Sequence, residues 1–269
     1  MAGLIKKKIV VIGAGNMGGA LIRGLVKTVE ATQITAVDID SELLKRLQRE
    51  VGVNVSEDAT FAVAASDVVV IAIKPQHLSD VAGLRSAMIP GRLIVSIAAG
   101  VSTSKLESVF GDVPVVRTMP NILAQVGASV AGLCKGRFSS EQHLAVASAI
   151  LGAVGETVVV DEQQMDAVTG LSGSGPAYVF ALIDALADGG VKCGLPKATA
   201  TKLAIQTVLG AARMVVESGE HPMSLKDKVT SPGGTTIAGL KALEDGEFRA
   251  TVINAVKAAT KRSAELGDR

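Results

Sequence analysis

The sequence predicts an α/β fold in which a mainly parallel sheet forms the N-terminal half and helices alone form the C-terminal half. Short apolar runs alternate with helical patterns as far as Asp161. Such alternation is typical of parallel strands joined by right-handed crossovers. After Asp161 no strand-like run follows, and helical patterns continue to the end. We therefore predict two domains, residues 1–161 and residues 162–269.

A glycine-rich turn follows the first apolar run, Ile9–Ile12, and a helical pattern follows the turn. Gly13 allows the tight turn, Gly15 lets the backbone approach a pyrophosphate, and Gly18 lets the helix pack closely on the strand. The free N–H groups and the dipole of the helix start favour phosphate. This order indicates a dinucleotide site of the Rossmann type, and the alternative is a turn without a ligand. The predicted phosphate-binding residues are Gly13, Gly15, Asn16, Met17 and Gly18.

A second predicted strand, Gln33–Val37, ends at Asp38. Dinucleotide folds often place an acid about 20 residues beyond the glycine turn, against the adenosine ribose hydroxyls. A carboxylate there repels a 2′-phosphate and so favours NADH. The alternative is that Asp38 only caps the helix over residues 41–50, a role open also to Asp40 or Ser41.

The next strands end at the edge of the sheet where ligands bind in open parallel sheets. Val68–Ile73 stops at Lys74-Pro75, and Leu93–Ile97 stops at Ala98. We expect Ala72 to Gln76 to line the nicotinamide side, with Ala72, Lys74 and Pro75 as cofactor-binding residues, and Ala98 as a further cofactor-binding residue. Because a residue before proline is held extended, we assign Lys74 a backbone role rather than that of a catalytic base. The sequence also predicts a helix over Leu78–Ser86 and a strand over Val113–Arg117.

In the helical half, Pro176 opens a helix that Gly189-Gly190 closes, and Pro196 opens a longer helix. Two further helices are predicted over Thr235–Glu244 and Glu247–Leu266. The apolar stripes on these helices are broader than one small domain can bury. We therefore predict a homodimer or a larger homo-oligomer.

Two stretches of the helical half, residues 169–178 and 229–236, are rich in glycine and hydroxyl groups. The second ends where a helix starts. Its backbone N–H groups from Gly233 to Thr236 and its hydroxyls are therefore predicted to converge on an anion the size of a carboxylate. Ordinary capping turns are the alternative. The predicted substrate-binding residues are Ser231, Gly233, Gly234, Thr235 and Thr236.

The composition excludes several classes of function. Lys plus Arg number 27 against 26 Asp plus Glu, without a charge block, so no nucleic-acid or membrane-surface partner is expected. Cys134 and Cys193 are isolated, so we expect no metal site, no disulfide framework and a reducing, cytoplasmic location. No segment approaches the length of about 20 apolar residues that a membrane span requires.

Seven segments together resemble a known family, the pyrroline-5-carboxylate reductases, over essentially the whole chain. They are Gly13–Gly18, Ala72–Pro75, Ser96–Val101, Arg117–Asn121, Asp166–Tyr178, Asp184–Val191 and Ser231–Thr236. The block from Asp166 to Val191 is highly specific. One departure is that Ile122-Leu123 follows Asn121, where the family usually has Thr-Pro.

The resemblance implies reduction of 1-pyrroline-5-carboxylate to L-proline with NADPH or NADH. It implies a Rossmann domain and a helical domain that forms interlocked dimers, often assembled into decamers. By resemblance, Ser231, Gly234, Thr235 and Thr236 hold the small-molecule substrate. Thr236 matches the threonine proposed to reach the imine nitrogen, and is the predicted catalytic residue.

Two other functions share part of this pattern. The 3-hydroxyacid dehydrogenases place a catalytic lysine on the helix after a similar glycine-rich turn, and Pro176–Asp188 contains no lysine. A protein that only binds or senses the nucleotide would need the Rossmann half alone. The intact hydroxyl and glycine loop at Ser231–Thr236 argues against that reading.

Overall fold

A computed structural model describes residues 6–89 and 91–267 of the chain. It divides into two compact units, Met1–Ser174 with Ala258–Arg269, and Gly175–Lys257. The domain boundary at Asp161 stays a prediction.

The described part of the first unit contains an eight-stranded sheet with the order β3-β2-β1-β4-β5-β6-β7-β8. All neighbours are parallel except β6 and β7, so the predicted mainly parallel sheet is confirmed. The direction of winding reverses between β1 and β4, which is where ligands bind in such sheets. The strands are β1 Ile9–Ile12, β2 Ile34–Val37, β3 Asn54–Ser56, β4 Val68–Ile71, β5 Leu93–Ser96, β6 Val115–Met119, β7 Ser129–Lys135 and β8 Gly155–Val159.

The sheet is covered on both faces, which explains why its central strands are continuous apolar runs. Because side chains alternate along a strand, Ile9 and Val11 enter one core cluster, whereas Val10 and Ile12 enter the other. All residues of β1, β4 and β5 are buried. Because the three strands pair in parallel, their carboxyl ends lie at one edge of the sheet.

Helices of the first unit pack on the two faces of the sheet. They are α1 Asn16–Leu25, α2 Ser41–Val51, α3 Ala59–Ala64, α4 Thr103–Phe110, α5 Glu141–Leu151 and α6 Met165–Val168, with a π-helical turn over Thr169–Gly173. Short 3₁₀ helices cover Ala31–Gln33, Pro75–Ala87, Ile122–Val126, Gly152–Val154 and Glu162–Gln164. The side chain of Asp40 caps α2 by accepting the N–H groups of Glu42 and Leu43.

Two predicted elements of this unit differ in the structure. The segment predicted as a helix over Leu78–Ser86 is a 3₁₀ helix over Pro75–Ala87. Its core-facing residues Leu78, Val81, Leu84 and Ala87 recur every three positions, which matches the three residues per turn of a 3₁₀ helix. The strand predicted over Val113–Arg117 is β6, and it runs on to Met119.

The antiparallel strand β7 explains the longer β6, because Thr118 pairs with Leu133 and Met119 pairs with Gly132. Pairing with a neighbouring strand supplies hydrogen bonds to residues that sequence patterns assign to a loop. As a result, β6 extends past the last paired residue of β5, Ser96, at the ligand-binding edge.

The second unit consists of helices among its described residues. They are α7 Gly175–Lys192, α8 Lys197–Ser218, α9 Pro222–Lys228, α10 Thr235–Asp245 and the first half of α11, Phe248–Gly267. The prediction that Gly189-Gly190 closes α7 is wrong, because the helix continues to Lys192. A Cβ at Gly190 would lie 3.0 Å from the Cβ of Ala200, so this glycine allows α8 to pack closely.

None of the helices that the structure describes is both long and apolar enough to traverse a bilayer.

Candidate functional site

The glycine turn after β1 has the backbone geometry of a dinucleotide-binding turn. Gly13 has φ +95°, and a Cβ there would lie 2.6 Å from the carbonyl oxygen of Ala72. A Cβ at Gly18 would lie 1.9 Å from the carbonyl oxygen of Gly13, so α1 sits directly on the turn. At Gly15 a Cβ would meet no described atom within 4 Å. The first and third glycines are therefore needed for packing, and the second leaves space open.

The N-terminus of α1 opens onto that space. Gly15 is its N-cap residue, and no described side chain caps the helix start. The first N–H groups of a helix have no partner within the helix, and with the helix dipole they favour an anion. The turn lies at the reversal point of the sheet, since β1 pairs with both β2 and β4. Asn16 is exposed there, whereas Met17 packs partly on the core.

Asp38 is bonded to the glycine turn. Its Oδ2 accepts the N–H of Ala14 at 2.7 Å, and its Oδ1 accepts the N–H of Asp40 at 3.0 Å. Because Asp40 provides the cap of α2, Asp38 does not have the capping role. The structure thus brings the carboxylate at the end of β2 against the turn that faces the ligand space.

The other predicted cofactor residues lie on the same edge of the sheet. Ala72 donates its N–H to the carbonyl of Ile12 at 2.8 Å, which places the end of β4 beside the glycine turn. Ala98 is buried after β5, and its N–H donates to Ser96 Oγ at 3.3 Å. Lys74 is exposed and extended, with ψ 146°, as its position before Pro75 requires.

Two basic side chains of α1 and α2, Arg23 and Lys45, are paired with acids. Lys45 Nζ bonds Glu42 at 2.8 Å, and this hydrogen bond raises the pKa of Lys45. Arg23 of α1 bonds Glu50 of α2 at 2.6 Å, and that hydrogen bond raises the pKa of Arg23. Arg46 lines a cleft of about 610 Å³ beside Gly15 and Asn16.

In the second unit, residues 231–234 form a tight turn before α10. The N–H of Gly234 donates to the carbonyl of Ser231 at 3.1 Å, and Gly233 has φ +67°. Proline at the second position and a positive φ at the third are features of a type II turn. The N–H of Gly234 therefore forms a hydrogen bond within the turn, contrary to the expectation that it would point at a ligand.

The start of α10 remains open to an anion in the structure. Gly234 is its N-cap residue, and no side chain among the described residues caps it. A Cβ at Gly234 would lie 2.3 Å from Ser231 Oγ, so this hydroxyl sits over the backbone of the cap. Thr235 and Thr236 are the first two residues of the helix. Two hydroxyls and two N–H groups of the helix start are thus close together along the chain.

Sequence reasoning missed a buried polar network at the same edge of the sheet as the glycine turn. Glu162 accepts hydrogen bonds from the N–H of Thr103 at 2.7 Å and from its hydroxyl at 2.5 Å. Arg117, which is buried in β6, bonds the same carboxylate at 3.3 Å. The signal was Arg117 at the end of the strand predicted over Val113–Arg117, because a charge buried in a sheet requires a partner.

No described histidine or cysteine is placed to act as an acid or a nucleophile in these regions. Burial raises the pKa of Cys134 to about 12, so its thiol stays neutral. His77 bonds Asp80 at the surface, and His221 caps α9 through the N–H of Met223. No group of three or more His, Cys, Asp or Glu residues suited to a metal occurs in the described ranges.

A Rossmann-type sheet with an open glycine turn at its reversal point, joined to a helical second half, defines the class of NAD(P)-dependent oxidoreductases. Two family models match the chain. Residues 8–100 match a model described as NADP oxidoreductase, coenzyme F420-dependent. Residues 162–266 match a model described as pyrroline-5-carboxylate reductase dimerisation.

Relatives of known identity match nearly the whole chain. A pyrroline-5-carboxylate reductase of Methanosarcina acetivorans is 47% identical over 265 residues, 97% of this chain and 98% of that protein. The structure of a pyrroline-5-carboxylate reductase from Coxiella burnetii has a TM-score of 0.91 and 35% identity, covering 97% of this chain and 98% of that one. The NADP-bound pyrroline carboxylate reductase of Plasmodium falciparum has a TM-score of 0.86 and 30% identity, covering 97% of this chain and 98% of its own. The chain belongs to the pyrroline-5-carboxylate reductase family, as the sequence motifs predicted.

Proposed function

We propose that this protein catalyses the NAD(P)H-dependent reduction of 1-pyrroline-5-carboxylate to L-proline, the last step of proline biosynthesis. The observation that carries the proposal is similarity to reductases of this name over 97% of the chain. That similarity includes both the glycine turn and the Ser231–Thr236 loop. A protein that only senses the nucleotide would not need the second element.

The reaction transfers a hydride from C4 of the reduced nicotinamide to the carbon of the cyclic C=N bond. The electron pair of the C=N π bond moves to nitrogen, which takes up one proton, and NAD(P)⁺ is released. Such a transfer requires the imine carbon close to nicotinamide C4, so most of the rate enhancement comes from holding the two rings in position.

For the substrate we propose the residues Ser231, Gly233, Gly234, Thr235 and Thr236. The support is the uncapped start of α10, where N–H groups and hydroxyls favour a carboxylate. Thr236 provides a hydroxyl for the imine nitrogen. A threonine hydroxyl is a weak acid, so it positions the imine or relays a proton that comes from elsewhere.

For the cofactor we propose the phosphates at the glycine turn, with Gly13, Gly15, Asn16, Met17 and Gly18, and the nicotinamide beside Ala72, Lys74, Pro75 and Ala98. Asp38 receives the adenosine ribose hydroxyls. We propose that NADH serves at least as well as NADPH. In support, Asp38 is a carboxylate at the end of β2, and the nearby Lys45 already pairs with Glu42.

The dimerisation family of residues 162–266 makes the protein a homo-oligomer. We propose a dimer that assembles further, for example into a decamer, and acts in the cytoplasm. Large apolar side chains are exposed on the second unit, which supports burial of this surface by a second copy of the chain. They include Val179, Phe180, Leu203, Leu209 and Ile253, which are between 42% and 57% exposed. Light scattering that shows a stable, active monomer would contradict the dimer.

Substitution of Thr236 tests the reaction. Thr236→Val keeps the shape of the side chain without the hydroxyl, and Thr236→Ser keeps the hydroxyl. We expect the valine variant to lose about 100-fold in kcat and the serine variant to stay within about threefold of wild type. Binding of NADH, measured by fluorescence titration, should be unchanged in both. Full turnover in the valine variant would remove Thr236 from the mechanism.

A further inference from the structure

Asn121, at the carboxyl end of β6, is a buried residue whose amide group is fully engaged. Only 5% of it is exposed. Its Nδ2 donates to the carbonyl of Ser172 at 3.0 Å, and its Oδ1 accepts the N–H of Leu123 at 3.0 Å. Its own N–H donates to Ser129 Oγ at 3.2 Å. The side chain thus joins the end of β6 to the π-helical turn Thr169–Gly173.

The carbonyl of Ser172 lacks the donor that an α-helix would offer it. In an α-helix it would pair with the N–H of residue 176, and residue 176 is proline, which has none. The turn is π-helical instead, closed by the N–H of Ser174 on the carbonyl of Thr169 at 2.9 Å. Ser172 is half-buried, and the amide of Asn121 supplies a hydrogen bond that Pro176 is unable to give.

A second contact accompanies this bond. A Cβ at Gly173 would lie 2.9 Å from Cε of Met119, so the glycine makes room for the methionine side chain. Met119 and Asn121 therefore both contact the π-helical turn, on either side of Pro120. The end of β6 is held at two points.

The segment held in this way adjoins the end of β5. Arg117 pairs with Ser96 in the sheet, and the hydroxyl of Thr118 donates to the carbonyl of Ser96 at 3.1 Å. Ser96 in turn receives the N–H of Ala98 on its hydroxyl. In the proposed function, on which this step rests, Ala98 lies on the nicotinamide side. A shift at the end of β6 is therefore passed to the backbone that supports the nicotinamide.

We propose that Asn121 is a positioning residue for hydride transfer. By donating to the carbonyl of Ser172, it holds the end of β6 and, through Ser96, the turn at Ala98 in the arrangement that orients the nicotinamide. It contacts neither substrate nor cofactor in this role. It affects the rate of hydride transfer through the distance between nicotinamide C4 and the imine carbon.

The test compares two variants at this site with a matched control. Asn121→Asp has the same shape but replaces the donor with an oxygen that faces the Ser172 carbonyl, and Asn121→Ala removes the amide. The control for the amide-to-acid change is Asn54→Asp in the outermost strand β3, where the exposed Asn54 amide donates to the carbonyl of Thr32 at 2.8 Å. For each, kcat, both KM values and the primary deuterium isotope effect with C4-deuterated NADH are measured, with light scattering for assembly.

We expect kcat to fall about 10- to 100-fold in both Asn121 variants, since small misplacements of reacting groups have effects of this size. The deuterium isotope effect should rise because hydride transfer becomes rate-limiting, while the KM for NADH changes little. The Asn54 variant should match wild type. A merely structural role would lower the fraction of active protein and leave the isotope effect unchanged, and that result would overturn the proposal.

A rescue experiment adds a second criterion. Pro176→Ala restores an N–H that is able to reach the Ser172 carbonyl. In that background, Asn121→Ala should be less harmful by about three- to tenfold, as expected for residues that share a partner. Equal losses in both backgrounds would contradict the assigned bond. If wild-type protein fails to reduce pyrroline-5-carboxylate, the proposed function is wrong, which is a separate outcome from unchanged kinetics in the Asn121 variants.

Discussion

The carboxylate of Asp38 accepts the backbone N–H of Ala14 across 2.7 Å, so the end of β2 is tied to the glycine turn that follows β1. The bond fixes a negative charge beside the open N-terminus of α1. That position has opposite effects on the two cofactors. A ribose hydroxyl is able to donate to the carboxylate, whereas a 2′-phosphate is repelled by it.

Asp38→Asn should shift cofactor preference toward NADPH. The asparagine keeps an oxygen for the N–H of Ala14 and removes the charge, but its NH2 group is unable to accept the N–H of Asp40. The ratio between the two cofactors, rather than either affinity alone, therefore reports the effect of the charge. We expect the ratio of kcat/KM for NADPH to that for NADH to rise about tenfold, equivalent to about 1.4 kcal/mol. Steady-state kinetics with both cofactors measures the ratio. An unchanged ratio, or a wild-type enzyme with a large preference for NADPH, would remove Asp38 as the determinant.

Alanine at Gly18 and at Gly15 should have different consequences. At Gly18 the new Cβ would overlap the carbonyl oxygen of Gly13, so α1 must move away from the turn. We expect a loss of about 2–3 kcal/mol in the free energy of unfolding, a typical cost of overpacking. Urea unfolding followed by circular dichroism measures it.

Gly15→Ala is the matched control for stability and the test for binding. A Cβ there meets open space, so the free energy of unfolding should stay close to that of wild type. If the pyrophosphate approaches this backbone, the dissociation constant for NADH should rise about tenfold or more. Unchanged NADH affinity would mean that the phosphates lie elsewhere.

Arg92 should contribute to stability without contributing to catalysis. Only 5% of this arginine is exposed, and it donates to the carbonyls of Ala64, Ser66 and Ala87. Arg92→Met removes one buried and two partly buried hydrogen bonds, so we expect a loss of about 2–4 kcal/mol in the free energy of unfolding.

The control for Arg92 is Arg85→Met. Arg85 donates to one carbonyl, that of Ser108, at the surface. Its loss should amount to less than about 1 kcal/mol, because water is able to replace an exposed donor. Urea unfolding of both variants provides the comparison. Equal losses would show that burial of the Arg92 contacts is not what matters.

Alkaline pH should destabilise the protein through Cys134. Burial raises the pKa of its thiol from 9.0 to about 12, so between these values the unfolded chain releases a proton that the folded chain retains. The folded state then binds more protons, and stability falls as pH rises, by at most about 1.4 kcal/mol per pH unit for this one group.

Cys134→Ala removes that contribution and should flatten the fall in stability above pH 9, whereas the exposed Cys193→Ala serves as the control. The free energy of unfolding is measured by urea titration at several alkaline pH values. A Cys134 variant with the same slope as wild type would assign the alkaline loss to other groups.

The parallel sheet and its ligand-binding edge were predictable because they depend on local patterns. The continuous apolar runs of β1 and β4 are typical of strands buried on both faces. The glycines between β1 and α1 are typical of a tight turn from a strand into a helix. The end of β6 was not predictable in the same way. Its last two residues are strand only because the antiparallel β7 pairs with them, and that pairing is not local in sequence.

The residues of the candidate site show the same contrast. Gly13 and Gly18 act through their own backbone, so their packing roles followed from the motif. The hydrogen bonds of Asn121 to Ser172 and of Glu162 to Thr103 join residues 51 and 59 positions apart. The hydrophobic periodicity of a sequence contains no information on such distant pairs. For Gly234, the motif correctly indicated a helix start, but the type II turn that uses its N–H appears only in three dimensions.

The most direct measurement is a turnover assay of the purified protein with 1-pyrroline-5-carboxylate and NADH or NADPH, with L-proline quantified by chromatography. We predict that each mole of reduced nicotinamide oxidised yields one mole of L-proline, and that 3-hydroxyacids with NAD⁺ give no reaction. Absence of proline formation with both cofactors, from a folded protein that binds NADH, would contradict this prediction.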